Sequence, residues 1–188
     1  MNTKTTLNPM IVQPGAGKDL HAFGDVLSVM LGGEQTGNQL SVLFGTTPPG
    51  GGPPPHVHHR EDELFLVVEG RLSFFVNGEW IEVGPGGVVY LPREVPHSYR
   101  NVGETPSRQW IITTPSGFEV FFARCAEEFA KPGGPDMGRI VEIIHEHGGS
   151  IEPASAGPGK GSQMKVLLPL LAAESKHERQ IQRRNQAA

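Results

Sequence analysis

The chain has 188 residues, with 16 lysines and arginines against 20 aspartates and glutamates and a net charge of −4. That length suits one domain with a sizeable core, and the acidic balance excludes the basic footprint that binding to nucleic acid or to an anionic membrane surface would need. The 25 glycines and 17 prolines punctuate apolar runs of strand length, a composition that points to many short strands joined by turns.

Taken in order, residues 1–20 form a lead-in whose apolar piece Met10–Val12 is expected to add an edge strand. The opening MNTKTTLNPMIVQPG lacks the apolar stretch of a signal peptide, and no segment approaches the roughly 20 apolar residues that span a bilayer. The single cysteine, Cys125, has no partner for an internal disulfide, which fits a reducing compartment. A soluble, cytoplasmic protein without a membrane partner is the expectation.

Strand signals occupy Asp25–Met30 and Leu40–Phe44, and the segment TTPPGGGPPP from Thr46 to Pro55 reads as a structured loop. Glu63–Glu69 is the next strand, turned by Glu69-Gly70 into Arg71–Val76. Asn77-Gly78, the strongest short hairpin signal, leads into Trp80–Val83. Val88–Leu91, Val95–Asn101 and Arg108–Thr113 complete a closely spaced series, so the spacing predicts an all-β antiparallel sandwich or barrel over residues 1–115.

Beyond Pro115 the pattern changes. Phe118, Phe121, Phe122, Cys125 and Phe129 recur at helical spacing within Gly117–Ala130. A second helix is expected from a cap at Asp136 through His145, ended by Gly148-Gly149. Residues 116–150 thus form a helical extension packed on the barrel, and 151–188 a linker and polar tail in which Arg179, Arg183 and Arg184 make a solvated face. No helix-turn-helix is discernible.

The residues that carry chemistry lie between Gly50 and Asn101. On a strand, residues two apart face the same way, so His56 and His58 converge from one face about 7 Å apart. Glu63, five residues on, supplies a carboxylate if the polar stretch His59–Asp62 bends, and His97 adds a third imidazole from a distant strand. Three histidines and a carboxylate suit one divalent transition-metal ion, with Fe, Mn, Co, Ni and Zn left open. His59 faces away from the site. Phe65 and Val67 share Glu63's face and, with Phe74 and Tyr99, are candidates to line an apolar substrate pocket, or else to fill the core. Phe118, Phe121 and Phe122 either pack a helix on the barrel or cover its mouth, Cys125 packs as a small hydrophobe, and His145 and His147 fall on the surface.

Written out, the two segments are G-x5-H-x-H-x4-E-x6-G, through Gly50, His56, His58, Glu63 and Gly70, and G-x5-P-x-E-x2-H-x3-N, through Gly86, Pro92, Glu94, His97 and Asn101. They resemble the two motifs of the cupin superfamily in nine of ten fixed positions. The exception is Glu94, where the family carries a glycine that allows positive φ. This resemblance implies a six- to eight-stranded double-stranded β-helix, the jelly-roll barrel, with a metal inside, to which the pattern after Pro115 adds the C-terminal helical extension. The stretches PPHVHHREDELFLVVEG and GFEVFFARCAEEFAKPGGPD are in addition similar to bacterial single-cupin proteins of the quercetin 2,3-dioxygenase-like group. That similarity implies cleavage of a flavonol by O2, with Glu63 as general base. Another reaction of an enolisable small molecule, or ligand binding without catalysis, are the alternatives. A homodimer is expected from the same resemblance.

Overall fold

A computed structural model describes residues 7–151; the expected linker and tail over 152–188 lie outside the described residues. Eleven strands are present there: β1 Lys18–Ala22, β2 Asp25–Leu31, β3 Ser41–Thr47, β4 His56–His58, β5 Asp62–Glu69, β6 Leu72–Val76, β7 Glu79–Val83, β8 Val88–Leu91, β9 His97–Asn101, β10 Ser107–Thr114 and β11 Gly149–Ile151. Three helices accompany them, α1 Gly33–Thr36, α2 Phe118–Phe129 and α3 Met137–Glu146. None is long and apolar enough to cross a membrane.

The strands form two antiparallel sheets, one ordered β1-β2-β3-β10-β5-β8 and the other β11-β4-β9-β6-β7. This is the antiparallel sandwich that the strand spacing predicts, in the double-stranded β-helix form that the family resemblance implies. Its cause is visible in β3, where burial alternates strictly: Ser41, Leu43, Gly45 and Thr47 point inward while Val42, Phe44 and Thr46 are only half-buried. β10 repeats the alternation through Ser107, Gln109, Ile111 and Thr113. Inward side chains of the two sheets meet in one core of Leu27, Leu43, Phe65, Leu72, Phe74 and Ile111, with Tyr99 among them.

Several expectations shift in detail. Met10–Val12 is not a strand; the edge is β1, whose Leu20 and Ala22 are buried while Lys18, Asp19 and His21 are exposed. Gly148-Gly149 does end α3, but Gly149 at once opens β11, which pairs with β4 and returns the chain to the barrel. α3 starts as expected, with the Asp136 side chain accepting from the backbone N–H of Gly138 and Arg139. Asn77 and Gly78 adopt φ of 53° and 87°, the primed turn that matches strand twist.

The proline- and glycine-rich loop before β4 is fastened to β9. The backbone N–H of Gly50 donates to Asn101 O at 2.9 Å, and that of Asn101 returns a bond to Gly51 O at 2.9 Å. Ser98 Oγ donates to Pro53 O at 2.7 Å. Gly52 has φ 137°, and a Cβ there would lie 2.0 Å from Tyr99 O; only glycine permits this approach. Asn101 is buried and ties the corner, its Nδ2 donating to Thr47 O and Thr105 O at 2.8 Å each. These contacts set His56 opposite His97.

Candidate metal centre and cavity

His56 and His58 come from β4, Glu63 from β5 and His97 from β9. Each offers one ligand atom, and these atoms all lie within 4.8 Å of one another. His56 Nε2 and His58 Nε2 are 3.2 Å apart, while Glu63 Oε2 is 3.3 Å from His97 Nε2 and 3.9 Å from His58 Nε2. The far ring atoms are held by the backbone: His56 Nδ1 lies 2.9 Å from Pro54 O and His97 Nδ1 2.8 Å from Val95 O. A carbonyl can only accept, so both Nδ1 atoms carry a proton, which leaves Nε2 as the atom of each ring able to offer a lone pair to a cation at the centre. His58 Nδ1 faces Glu61 Oε2 at 3.8 Å.

Electrostatics follow from burial and from this crowding. Burial, reinforced by His58 and His97, pulls His56 down to about 3, so its ring stays neutral at physiological pH. Burial pushes the Glu63 carboxyl up, but the facing imidazoles, His97 first, more than offset this and hold it below the usual carboxylate value. His97 shows the reverse balance: burial pulls it down, and the Glu63 carboxylate holds it above the usual imidazole value. Even so, the 3.3 Å contact is poorly aligned, and His97 Nε2 is buried without a hydrogen-bond partner. A buried orphan nitrogen is costly. A divalent cation seated between the three imidazoles and the carboxylate would satisfy it, so the residues fit a transition metal.

The motif position held by Glu94 adopts φ 67°, so the turn keeps its left-handed backbone without glycine. Two local bonds brace it: the Glu94 N–H donates to His58 O at 2.8 Å, and Glu94 Oε2 is 2.7 Å from His59 Nδ1. His59 thus lies outside the metal cluster, as expected of a side chain pointing away.

A cavity of about 100 Å³ opens beside the ligands, bounded by His56, His58, Glu63, Tyr99, Phe118 and Phe121 among others. Of the expected pocket residues, Tyr99 lines it. Phe65, Val67 and Phe74 do not: all three are at most 1% exposed and fill the core, where Phe65 and Phe74 pack on Tyr99 with ring centroids 5.2 Å and 5.9 Å away. All three face inward, from β5 in one sheet and β6 in the other, but into the packed core and not onto the cavity. The cavity lies at the end closed by α2 and α3, so Phe118, Phe121 and Phe122 pack the helix and wall the cavity at once. His147, expected on the surface, is half-buried; just beyond α3 it lines the cavity with its Nε2 2.9 Å from Arg124 Nη1. Phe23, between β1 and β2, lines it as well, as do Asp25 and Ile111, and no sequence signal marked these three for the cavity. Cys125 is fully buried, as expected of a small hydrophobe.

Fold and site together define a double-stranded β-helix domain with a three-histidine, one-carboxylate cluster. Residues 43–112 match the family model described as the cupin domain. Among curated proteins the chain is similar to the quercetin 2,3-dioxygenase of Bacillus subtilis, 24% identical over 121 residues, covering 64% of this chain and 36% of that protein. The chain spans less than half the length of the curated relatives it matches. Among solved structures it is similar to a predicted oxalate decarboxylase from Thermotoga maritima, with TM-score 0.53, 20% identity and coverage of 56% of this chain and 99% of that one. It is likewise similar to KdgF from a Halomonas species, with TM-score 0.54, 18% identity and coverage of 60% and 99%. At these identities the likeness shows the fold.

Proposed function

We propose that this domain is a metal-dependent dioxygenase that cleaves an aromatic, enolisable substrate of the flavonol type with O2. The observation that carries the reading is the apolar, aromatic-walled cavity opening directly onto His56, His58 and Glu63; the similarity to a quercetin 2,3-dioxygenase supports it. His56, His58, Glu63 and His97 would hold the ion, which when bound supplies Lewis-acid stabilisation of the substrate's oxyanion. Glu63, held ionised at neutral pH, accepts the proton of the substrate's enolic hydroxyl at Oε2. The rings of Phe118, Phe121 and Phe122 contact the apolar body of the substrate and exclude water from the electron-rich anion. No lysine or arginine among the described residues lines the cavity, which disfavours phosphorylated sugars.

The size of the cavity favours a second form of the same reading. Its volume of about 100 Å³ is below the roughly 150 Å³ of an engineered cavity that takes one benzene ring. A three-ring flavonol would extend beyond this space, whereas a single-ring hydroxypyranone or β-diketone comes much nearer to its size.

Oxygen uptake by apo-protein reloaded separately with Fe, Mn, Co or Ni tests both forms, with quercetin and a single-ring 3-hydroxy-4-pyranone as substrates and His97→Ala as control. Metal-dependent uptake with loss of the substrate absorbance band is expected, and the better substrate reports which size of ring system the site takes. In the competent metal form, Glu63→Gln retains part of the metal and loses at least about a hundredfold in turnover. Bound metal with neither uptake nor substrate loss would overturn the oxygenase reading in favour of ligand binding or non-oxidative chemistry.

A further inference from the structure

The hairpin between β1 and β2 brings two unassigned side chains to the cavity. Ala22 pairs with Asp25, leaving Phe23-Gly24 as a two-residue turn with φ of 56° and 86°. Such turns ordinarily take Asn-Gly, and a phenylalanine in the left-handed region carries a steric penalty. The ring explains why it is tolerated. Phe23 packs edge-on against Phe129 at 4.9 Å and near Phe122 at 6.1 Å, beneath α2, and forms part of the cavity wall.

Asp25, two residues on, lines the same cavity and is 5% exposed. Its Oδ2 accepts a 2.7 Å hydrogen bond from the Tyr99 hydroxyl, while Oδ1 is buried without a partner. The nearby Thr47 hydroxyl, which accepts from Gln109 Nε2 at 3.0 Å, partly offsets the effect of burial on the carboxyl but makes no hydrogen bond to Oδ1. No lysine, arginine or histidine among the described residues pairs with Asp25. A half-satisfied buried carboxylate opposes folding, and an apolar side chain would serve the packing at this position better. Tyr99 feels both Asp25 and Glu63, so it stands between this carboxylate and the ligand cluster.

We propose that Asp25 is a substrate-anchoring residue whose free Oδ1 accepts a hydrogen bond from a hydroxyl remote from the substrate's enolised group. The inference rests on reading the cavity as the substrate site and narrows the substrate class to a small, mostly apolar ring with an enolisable or chelating end and a second hydroxyl donor elsewhere. Tyr99 orients the carboxyl through Oδ2, and Phe23 offers the ring face beside it. A site built around a buried acceptor rejects analogues that lack the donor far more strongly than an apolar pocket discriminates by size.

Two probes isolate that donor. Kojic acid and allomaltol share a 5-hydroxy-4-pyranone ring and differ only in hydroxymethyl against methyl at the remote position. Calorimetric titration of nickel-loaded wild type should show kojic acid bound about tenfold more tightly or better. In Asp25→Asn a neutral bond about half as strong replaces the charge-assisted one, and the preference should fall to about threefold. Equal affinities in wild type, as when water already satisfies Oδ1, would overturn the proposal, and this comparison needs no variant to fold. An undiminished preference in Asp25→Asn would overturn it as well. If neither pyranone binds the loaded protein, the chelating-substrate reading fails, and phenol against toluene on metal-free protein decides Asp25 separately. A phenol preference weakened by Asp25→Asn supports the anchor; its absence removes it.

Discussion

Replacing Asp25 by asparagine should stabilise the metal-free protein at neutral pH and leave it little changed in acid. The carboxyl's ordinary value is 3.8, and burial pushes it up to about 6. At about 1.4 kcal/mol per pH unit, that gap is worth about 3 kcal/mol. The sign follows from proton counting: between these two values the folded state holds a proton that the unfolded state has released. The wild type therefore loses stability as pH rises from about 4 through 6 and stays at the lower level above. Asparagine has the same shape, still accepts from the Tyr99 hydroxyl, and has no proton to lose. Urea unfolding of both proteins over about pH 4 to 8 gives the difference directly. It should grow by about 3 kcal/mol across this range in favour of Asp25→Asn, with groups common to both proteins cancelling. A difference independent of pH would refute the reasoning, because it would mean that Asp25 is already solvated or paired in the folded protein. Greater stability combined with weaker binding of a donor-bearing ligand is the pattern of a residue retained for function.

Other expectations test the frame around the site. Gly52→Ala would place a methyl group 2.0 Å from Tyr99 O at φ 137°, so it should lower stability by about 3 kcal/mol or more in thermal unfolding; a loss below about 1 kcal/mol would show that the loop is not packed on β9 as described. Glu94→Gly removes the penalty of a side chain at φ 67°, about 1 kcal/mol or more, and loses an exposed His59 pair worth at most about 1 kcal/mol. Its denaturation midpoint should stay level or rise, whereas Glu94→Ala, which keeps the strain and loses the pair, should fall. Cys125 is fully buried, with its thiol pushed up to about 12 by burial, so a thiol reagent at neutral pH should label it only as fast as the protein unfolds. Rapid labelling of folded protein would contradict the packing of α2.

The difference between what the sequence reveals and what it conceals lies in how far apart the cooperating residues are. Strand periodicity and the spacing of His56, His58, Glu63 and His97 are local patterns, and the structure gathers these four side chains because short strands of fixed alternation leave few other arrangements. β4 and β11, three residues each, are too short to carry a pattern of their own, and β1 alternates only between a leucine and an alanine. The cavity is less legible still. Phe65 and Phe74 lie on inward faces, but facing inward does not distinguish core from cavity; that depends on where α2 and α3 close the barrel. His147 loses helical periodicity at the end of α3, where the turn into β11 swings it inward. Asp25 reads in sequence as an ordinary residue after a glycine turn, and only pairing with β1 and β3 makes it a buried carboxylate. The Glu94 position carries the same lesson in reverse. A glycine there would have completed the motif, yet the left-handed backbone persists with glutamate because bonds to His58 O and to His59 hold it. The geometry of this turn is thus set by its neighbours, so a motif's missing glycine does not by itself argue against the metal site it frames.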